Sequence, residues 1–254
     1  EAYSHQIIRD VLGKYDYLSG QEKSFIKRLF EGTLERRIEL DYKINLVSSV
    51  PVKKMKPLIR NVLRMGAYQI LYMDSVPDNA AVNESVRLAK QFGKTSASGM
   101  VNAVLRNFIR GGKKIFAKEE KDDIKRFSVM YSIPVELIRS LVNDYGEDRA
   151  KAFAEFSVGD EKATFIRRNP LKCSYEELVK ALGNVEISTD DQLCCRLENG
   201  GVIGTNAFKS GFFHVQDISS QICCEVLAPT ENDVVLDICA APGGKTFTMA
   251  EMMN

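Results

Sequence analysis

The chain has 254 residues, of which 44% are hydrophobic and 27% are charged, with a mean hydropathy of −0.18. These are ordinary values for a globular protein, so the composition excludes a disordered, collagen-like or membrane-embedded chain. No apolar run reaches the length of a membrane span, and no signal peptide opens the sequence. We therefore expect a cytoplasmic protein that does not contact membranes.

The net charge of +1 conceals two halves of opposite sign. Residues 1–127 hold 24 Lys and Arg against 15 Asp and Glu, whereas residues 128–254 hold 11 against 19. The excess is greatest within residues 43–114, which hold 13 basic and 3 acidic residues. A basic block of this size favours a polyanionic partner such as nucleic acid. A lysine-rich solvated helical surface would give the same count, so charge alone leaves both interpretations open.

Cysteine and histidine do not indicate a metal site. The six cysteines form no C-x-x-C pair, and the two histidines, His5 and His214, are far apart in the sequence. Adjacent cysteines rarely share one tetrahedral metal or one unstrained disulfide. We expect reduced thiols and no bound metal.

Residues 1–127 are predicted to form a helical bundle. Ser19 and Glu22 have capping-box spacing, which predicts a helix that starts near Gly20. The stretch 52–73 carries apolar residues at intervals of 4, 3, 4 and 3, which predicts one helix with a buried stripe. The stripe consists of Ile59, Leu63, Gly66, Ile70 and Met73. Two further helices are predicted within 76–93 and 98–112, with Gly93 and the pair Gly111 and Gly112 as their stops.

Basic residues in the same stretch also follow a helical period. Lys53, Lys56, Arg60 and Arg64 recur at intervals of 3, 4 and 4, so we predict that they form a ridge on another face of the helix. Arg106 is predicted to lie exposed on a later helix. Because the charge is organised, the pattern favours a nucleic-acid surface over a random solvated one. The predicted contact residues are Lys53, Lys56, Arg60, Arg64 and Arg106.

Beyond residue 127 the pattern changes. Residues 128–160 are predicted to form a helical linker, with Pro134 in the first turn of one helix and Gly146 at its end. A strand-helix-strand-strand pattern across 161–210 predicts a small α+β module. Residues 211–254 contain a helix with Asp217 at its N-cap, then an apolar run at 233–239 that predicts a buried strand, a turn and a helix.

The turn after that predicted strand, within VVLDICAAPGGKT, has the composition of a ligand-binding loop. A P-loop needs G-x-x-x-x-G-K-[ST], and although Gly244, Lys245 and Thr246 fit its end, Cys239 occupies the first glycine position. The alternative is a dinucleotide-type turn, in which small residues let the backbone approach an adenosine-bearing ligand. The nucleotide-hydrolase interpretation is the weaker of the two.

Four stretches of the sequence resemble known families. D-x-C-A-A-P-G-G-K-T is similar to the first cofactor motif of RNA 5-methylcytosine methyltransferases, and FFHVQDISSQICCEVLAP is similar to the Q-D-x-S-x-Q helix that precedes it. Upstream, LRMGAYQILYMDSVPDNAAVNESVRLAK and GMVNAVLRNFIR resemble the NusB-type RNA-binding helical domain. Together they resemble the bacterial 16S ribosomal RNA cytosine-5 methyltransferases of the Fmu/Sun type.

This resemblance implies a multidomain fold. It comprises an all-α NusB-like domain at 1–127, the helical linker at 128–160, the α+β module at 161–210, and from 211–254 the first strand-helix unit of a Rossmann-like methyltransferase domain. It also implies S-adenosylmethionine as cofactor, 16S ribosomal RNA as partner and a monomer. A non-catalytic NusB-like RNA-binding protein of the antitermination type is the alternative, although it would leave residues 161–246 without a purpose.

The resemblance also assigns residue roles. The implied cofactor loop consists of Cys239, Ala240, Ala241, Pro242, Gly243, Gly244 and Lys245. Asp237 is expected to shape the turn, and Lys245 either adds charge towards a ligand or is simply solvated. Gln216 and Asp217 either cap a helix or support the loop.

The nucleophile of that family lies in a downstream Thr-Cys pair, and its other reactive cysteine follows a proline. Neither a Thr-Cys nor a Pro-Cys pair occurs here, so Cys239 is interpreted as a small loop residue and no catalytic residue is assigned. We expect this chain to be an amino-terminal portion of such an enzyme and inactive by itself.

Overall fold

The computed structural model describes residues 3–92, 95–111, 122–158, 164–183, 185–187, 191–197 and 202–253. It divides into two compact units, Glu1–Gly159 and Asp160–Asn254. None of the described helices combines the length and the apolar character needed to span a membrane.

The described part of the first unit is helical. Its α-helices are α1 (Ser4–Leu12), α2 (Gly20–Glu35), α3 (Arg37–Val47), α4 (Pro57–Tyr72), α5 (Asp78–Gln91), α6 (Thr95–Gly111), α7 (Asp123–Tyr131), α8 (Val135–Tyr145) and α9 (Glu147–Val158). The predicted capping box forms at the start of α2, where Ser19 and Glu22 satisfy each other's backbone N–H groups. Of the predicted stops, Gly93 and Gly112 lie outside the described residues.

Helix α4 is the centre of the first unit and packs against α2, α3, α5 and α6. The whole predicted stripe from Ile59 to Met73 is buried, which confirms the predicted apolar face. Gly66 permits the closest approach, because a Cβ there would lie 2.6 Å from Ser85 Oγ and 2.8 Å from a Leu105 methyl. A side chain at this position would therefore push α4 away from α5 and α6.

The predicted basic ridge is wrong in one respect, because its four residues do not share one helix. Helix α4 begins at Pro57, and the chain before it forms a short 3₁₀ turn at Val52–Lys54. Proline is favoured in the first turn of a helix, where its missing N–H needs no partner. Lys53 therefore lies in the 3₁₀ turn and Lys56 is the N-cap of α4, so only Arg60 and Arg64 lie on the helix.

Helices α7 to α9 pack together, and α7 packs against α3. Ser132, at the turn between α7 and α8, has a left-handed backbone with φ of 54°. Its hydroxyl oxygen accepts the backbone N–H groups of Ile38 at 3.0 Å and Glu39 at 3.3 Å. A residue more than 90 positions downstream thus satisfies the free amides at the start of α3.

The second unit contains a four-stranded antiparallel sheet of order β2-β3-β1-β4. Its elements are β1 (Thr164–Arg168), α10 (Tyr175–Leu182), β2 (Val185–Ile187), β3 (Cys194–Leu197), α11 (Asn206–Lys209), β4 (Phe213–Val215), α12 (Ile218–Leu227) and α13 (Gly244–Met252). The predicted strand-helix-strand-strand pattern is present. Strand β4 was not predicted; it pairs with β1 along Ile166↔Val215.

Strand β1 separates two environments. Ile166 faces an apolar core that also contains Leu178 and Phe213. The next residue, Arg167, points to the other side and forms ion pairs with residues of α12 and α13. Alternation along a strand places successive side chains on opposite faces, and here both faces of β1 are covered.

The buried strand predicted across residues 233–239 does not form. The segment pairs with no strand among the described residues and turns at positions 238–239, and Val234, Leu236 and Ile238 are each at least 84% exposed. A strand needs a neighbour for its backbone N–H and C=O groups, and no described strand lies beside this segment. The predicted helix after the loop does form, as α13, so the expected strand-helix unit is present only in its helix.

Candidate functional site

The carboxylate of Asp237 forms hydrogen bonds at both ends of the predicted cofactor loop. One carboxylate oxygen accepts the backbone N–H of Cys239 at 3.0 Å, and the other accepts the hydroxyl of Thr246 at 2.8 Å. The first bond shapes the turn, as predicted, and the second joins the entrance of the loop to the first turn of α13. Asp237 therefore joins the two ends of the loop.

The loop ends at Gly243, which is the N-cap of α13. Its φ of 111° lies in the left-handed region, and a Cβ there would come within 2.7 Å of the Phe247 ring. Conformation and space therefore both require glycine. No side chain among the described residues caps α13, so its first backbone N–H groups keep the partial positive charge that attracts anions.

The remaining predicted loop residues lie at the surface. Cys239, Ala240, Ala241, Pro242 and Lys245 are all exposed, whereas Gly243 and Gly244 are half-buried. The loop also contacts α12, because the Cys224 thiol donates a hydrogen bond to the Lys245 carbonyl oxygen at 3.6 Å. The structure therefore brings the predicted loop residues into one turn whose backbone is accessible.

A buried polar cluster lies beneath the start of α13. The Thr248 hydroxyl lies 2.9 Å from both Gln216 Oε1 and the Gly244 carbonyl oxygen, and is fully buried. His214 Nε2 lies 3.3 Å from both Gln216 Oε1 and Thr248 Oγ1. Gln221, also fully buried, donates from Nε2 to the Gln216 carbonyl oxygen at 3.1 Å. The end of β4, the start of α12 and the first turn of α13 are thus joined by polar contacts.

The cluster continues into buried charges. Arg167, 1% exposed, lies 3.4 Å from Glu251 and 3.8 Å from Glu225, and His214 Nδ1 lies 3.8 Å from Glu251. Burial raises the pKa of Glu251, while the His214 and Arg167 charges act in the opposite direction. Partnered charges of this kind hold elements in register, because removing one partner leaves the other buried and unpaired.

Arg167, Thr248 and Glu251 were not among the predicted site residues. Thr248 and Glu251 follow Gly244 at helical spacing, so that one face of α13 contains all three. An arginine that alternates with Ile166 in a strand ordinarily faces solvent, so the local sequence did not indicate that Arg167 is buried. Asp217 is the N-cap of α12, as predicted: it accepts the Ser219 N–H at 2.9 Å. The hydrogen bond from the Ser219 hydroxyl, and to a smaller extent that from the Ser219 backbone N–H, lowers the pKa of the Asp217 carboxyl.

The buried cysteines are poorly suited to nucleophilic chemistry. Burial raises the pKa of Cys173, Cys194 and Cys224, and raises that of Cys195 to about 11. A raised pKa favours the thiol over the nucleophilic thiolate at neutral pH. Among the described residues, no cluster of three or more His, Cys, Asp or Glu is arranged to hold a metal ion.

The predicted basic residues of the first unit differ in their surroundings. Arg64 donates to both carboxylate oxygens of Asp41, at 2.7 and 2.6 Å, and is only 13% exposed. Lys53, Lys56 and Arg106 are exposed, and Arg106 Nε donates to Asn102 at 2.9 Å. Two of the basic residues line a surface groove of about 420 Å³. Its lining residues are Asp41, Asn45, Ser48, Pro51, Val52, Lys53 and Arg60.

Comparison with known families matches two separate parts of the chain. Residues 1–110 match the NusB family, and residues 224–254 match the family described as 16S rRNA methyltransferase RsmB/F. The chain thus joins a NusB-family region to an RsmB/F methyltransferase region. The resemblance to bacterial 16S ribosomal RNA methyltransferases is confirmed by these matches and by the relatives of the chain.

Among curated proteins, the chain is 33% identical to the "Probable ribosomal RNA small subunit methyltransferase B" of Bacillus subtilis, over 100% of this chain and 57% of that protein. It is 32% identical to the protein of the same name from Synechocystis, over 100% of this chain and 58% of that protein. A Proteus mirabilis ribosomal RNA small subunit methyltransferase B is 31% identical over 92% of this chain and 55% of that protein. The chain therefore spans little more than half the length of these relatives.

A solved structure, the crystal structure of PH0851, superposes with a TM-score of 0.69 at 21% identity. The match covers 96% of this chain and 56% of that one. At this identity the likeness supports the fold alone, and it includes both the helical region and the small antiparallel sheet.

Proposed function

We propose that the protein to which these residues belong methylates carbon 5 of a cytosine in 16S ribosomal RNA, with S-adenosylmethionine as the methyl donor. The observation that carries the proposal is the loop from Asp237 to Lys245, which combines an accessible backbone, a required glycine and an uncapped helix N-terminus. The relatives are named as ribosomal RNA small subunit methyltransferases, and the cofactor motif resembles that of RNA 5-methylcytosine enzymes.

The residues of the loop fit a cofactor that bears a carboxylate. The first N–H groups of α13 are not capped by a side chain of the described chain, and a cofactor carboxylate is an anion of suitable size for them. The proposed contact residues are Cys239, Ala240, Ala241, Pro242, Gly243, Gly244 and Lys245. When bound, the cofactor supplies an electrophilic methyl group, and the loop holds its amino-acid end.

Carbon 5 of cytosine is a weak nucleophile, and enzymes that resemble this chain activate it by adding a thiolate to carbon 6. None of residues 1–254 is proposed for that role. Four cysteines are buried with raised pKa values, and Cys223 and Cys239 stand in neither the Thr-Cys nor the Pro-Cys context. The proposed contribution of this chain is therefore cofactor binding and RNA binding. We further propose that the first strand-helix unit of a Rossmann-like domain starts in this region.

For RNA binding, we propose three exposed basic residues of the first unit and one that is partly exposed. The exposed residues are Lys53, Lys56 and Arg106, and the partly exposed one is Arg60. Two observations support this surface: the NusB-family match and the groove that Lys53 and Arg60 line. Because the Arg64 guanidinium is paired with the Asp41 carboxylate, we assign Arg64 a structural role and expect it to contribute little to RNA binding.

The function is tested with radiolabelled S-adenosylmethionine and 16S ribosomal RNA, using protein that contains residues 1–254 together with any sequence that follows them. We expect transfer of label to 5-methylcytosine, identified by nucleoside chromatography after digestion. Gly243→Ala is the matched variant, because a methyl group there meets the Phe247 ring; it should lower transfer at limiting cofactor. Gly99→Ala, which has open space, is the control. Label in any other nucleoside would refute the proposed position.

A further inference from the structure

The groove between α3 and the start of α4 presents side chains of both charges. Lys53 and Arg60 bring positive charge to it, whereas Asp41 brings a carboxylate whose side chain is 28% exposed. Its volume is about 420 Å³. Sites for small ligands typically have volumes of roughly 300–1,000 Å³, so the groove has room for a group of the size of one nucleotide.

Asn45, which also lines the groove, has an amide whose orientation is set by the backbone. Its Oδ1 accepts the Val52 N–H at 2.8 Å. A backbone N–H can pair only with the oxygen of an amide, so exchanging Oδ1 and Nδ2 would lose this bond. The NH₂ group of Asn45 is therefore the part of the amide that remains for another partner.

The carboxylate of Asp41 lies one helical turn before Asn45, which places both side chains on one face of α3. Its two oxygens accept from Arg64 at 2.7 and 2.6 Å, and each oxygen retains a second lone pair. The ion pair orients the carboxylate, and the lone pairs that remain can accept further N–H groups. One wall of the groove thus carries a hydrogen-bond acceptor beside a donor.

An acceptor beside a donor is complementary to the Watson–Crick edge of a nucleobase. Adenine and cytosine, for example, present an amino group next to a ring nitrogen that accepts. Within a duplex this edge is already paired, so a protein can contact it only in an unpaired nucleotide. A ligand made of phosphates alone would be repelled by Asp41, whereas a nucleotide with a free base edge uses both the cations and the carboxylate.

We propose that the groove takes a single unpaired nucleotide of RNA. Its phosphate lies at Lys53 and Arg60, which supply affinity that depends on salt. The Watson–Crick edge of its base contacts Asp41 and Asn45, which supply the preference for a base. This inference rests on the proposed function, because it specifies how the proposed RNA-binding surface recognises its partner. A surface that contacted only the backbone would bind paired and base-free RNA equally well.

Three RNA duplexes of the same sequence test the base contact. One is fully paired, one carries a bulged adenosine, and one carries a bulged abasic nucleotide, which keeps the phosphate but lacks the base. Adenosine is chosen because the proposed reaction acts on cytosine, so the methylation site does not compete for the bulged base. Affinities are measured by fluorescence anisotropy, in protein that contains residues 1–254 and any sequence that follows them.

Three variants are compared with wild type. Asn45→Asp keeps the acceptor for Val52 but replaces the NH₂ donor, and Asn45→Ser removes the amide without adding charge. Ser49→Asp is the matched control for charge, because Ser49 is exposed and is not among the residues that line the groove. Thermal unfolding checks that each variant is folded, and Asn45→Ser decides if Asn45→Asp does not fold.

We expect wild type to bind the adenosine bulge about tenfold or more tightly than the abasic bulge, since a base edge held by two hydrogen bonds gives discrimination of this order. The fully paired duplex should bind like the abasic one. Both Asn45 variants should reduce the ratio of the two bulge affinities to within about threefold. Ser49→Asp should weaken all three complexes to a similar extent and keep the ratio of wild type.

Equal affinities of wild type for the two bulges, or an unchanged ratio in the folded Asn45 variants, would overturn the groove as a nucleotide site. Either result leaves the proposed function intact if the same wild-type protein forms 5-methylcytosine in 16S ribosomal RNA. A wild type that forms none would refute the proposed function, and the ratio of the bulge affinities would still decide whether the groove contacts a base. The two failures are therefore distinguishable.

Discussion

Single side chains hold distant segments together in this protein, and Ser132 is the plainest case. Its hydroxyl oxygen accepts two backbone N–H groups at the start of α3, those of Ile38 and Glu39. The N-cap residue of α3, Arg36, makes no side-chain cap of its own. Ser132 therefore performs the capping that an N-cap serine or aspartate usually performs locally.

We predict that Ser132→Ala lowers the free energy of unfolding of the first unit by about 1–2 kcal/mol, the cost of a lost helix cap. Ser140→Ala is the control: Ser140 is exposed on α8 and its hydroxyl donates to Asp144 at 3.3 Å, so its loss should change stability by less than about 0.5 kcal/mol. Urea denaturation followed by circular dichroism measures both. If the two variants lose equal stability, the long-range cap contributes nothing beyond an ordinary surface hydroxyl.

Within a single helix, the sequence predicts well the features that depend on residues close to one another in the chain. The stripe in α4, the capping box of α2 and the Asp217 cap depend on neighbours within one or two turns, and all three are present. The Ser132 cap joins residues 93 positions apart, and the ion pair of Arg167 with Glu251 joins residues 84 positions apart, so no local pattern could reveal them.

The four basic residues predicted to form a ridge also show that local sequence does not determine tertiary contacts. Helical spacing placed Lys53, Lys56, Arg60 and Arg64 on one face, but Pro57 starts the helix later, and Arg64 finds Asp41 on the neighbouring α3. Sequence reports the charge of a side chain, and only the packing of helices decides whether that charge has an internal partner. The structure therefore divides four apparently equivalent residues into different environments.

From this difference we predict unequal effects on RNA affinity. The double change Lys53→Glu and Arg60→Glu should weaken binding to 16S ribosomal RNA at least about tenfold and reduce the slope of log affinity against log salt, because phosphate contacts are lost. Arg64→Met should leave the slope unchanged, since its charge is already neutralised by Asp41. Filter binding at several salt concentrations measures both. An equal loss of slope in the two proteins would show that Arg64 also contacts RNA.

The apolar run before the cofactor loop is the feature that the sequence predicts least well. Composition and alternation indicate a buried strand, but burial requires neighbouring strands, and none of the described strands pairs with residues 233–239. The side chains of Val234, Leu236 and Ile238 are therefore exposed in the described structure. A Rossmann-like domain, as proposed, would supply strands on both sides of this segment.

This proposal makes the cost of one substitution depend on chain length. In the 254-residue chain, Leu236→Ser should change the free energy of unfolding by less than about 0.5 kcal/mol, because Leu236 is 84% exposed. In protein that extends to the length of the relatives, the same change should cost about 2–5 kcal/mol, the range for truncating a buried leucine. Leu178→Ser is the control, since Leu178 is fully buried in the sheet core and should be costly in both proteins. Denaturant unfolding of the four variants decides the matter, because a small effect of Leu236→Ser in the longer protein would mean that this segment is not a strand of a doubly wound sheet.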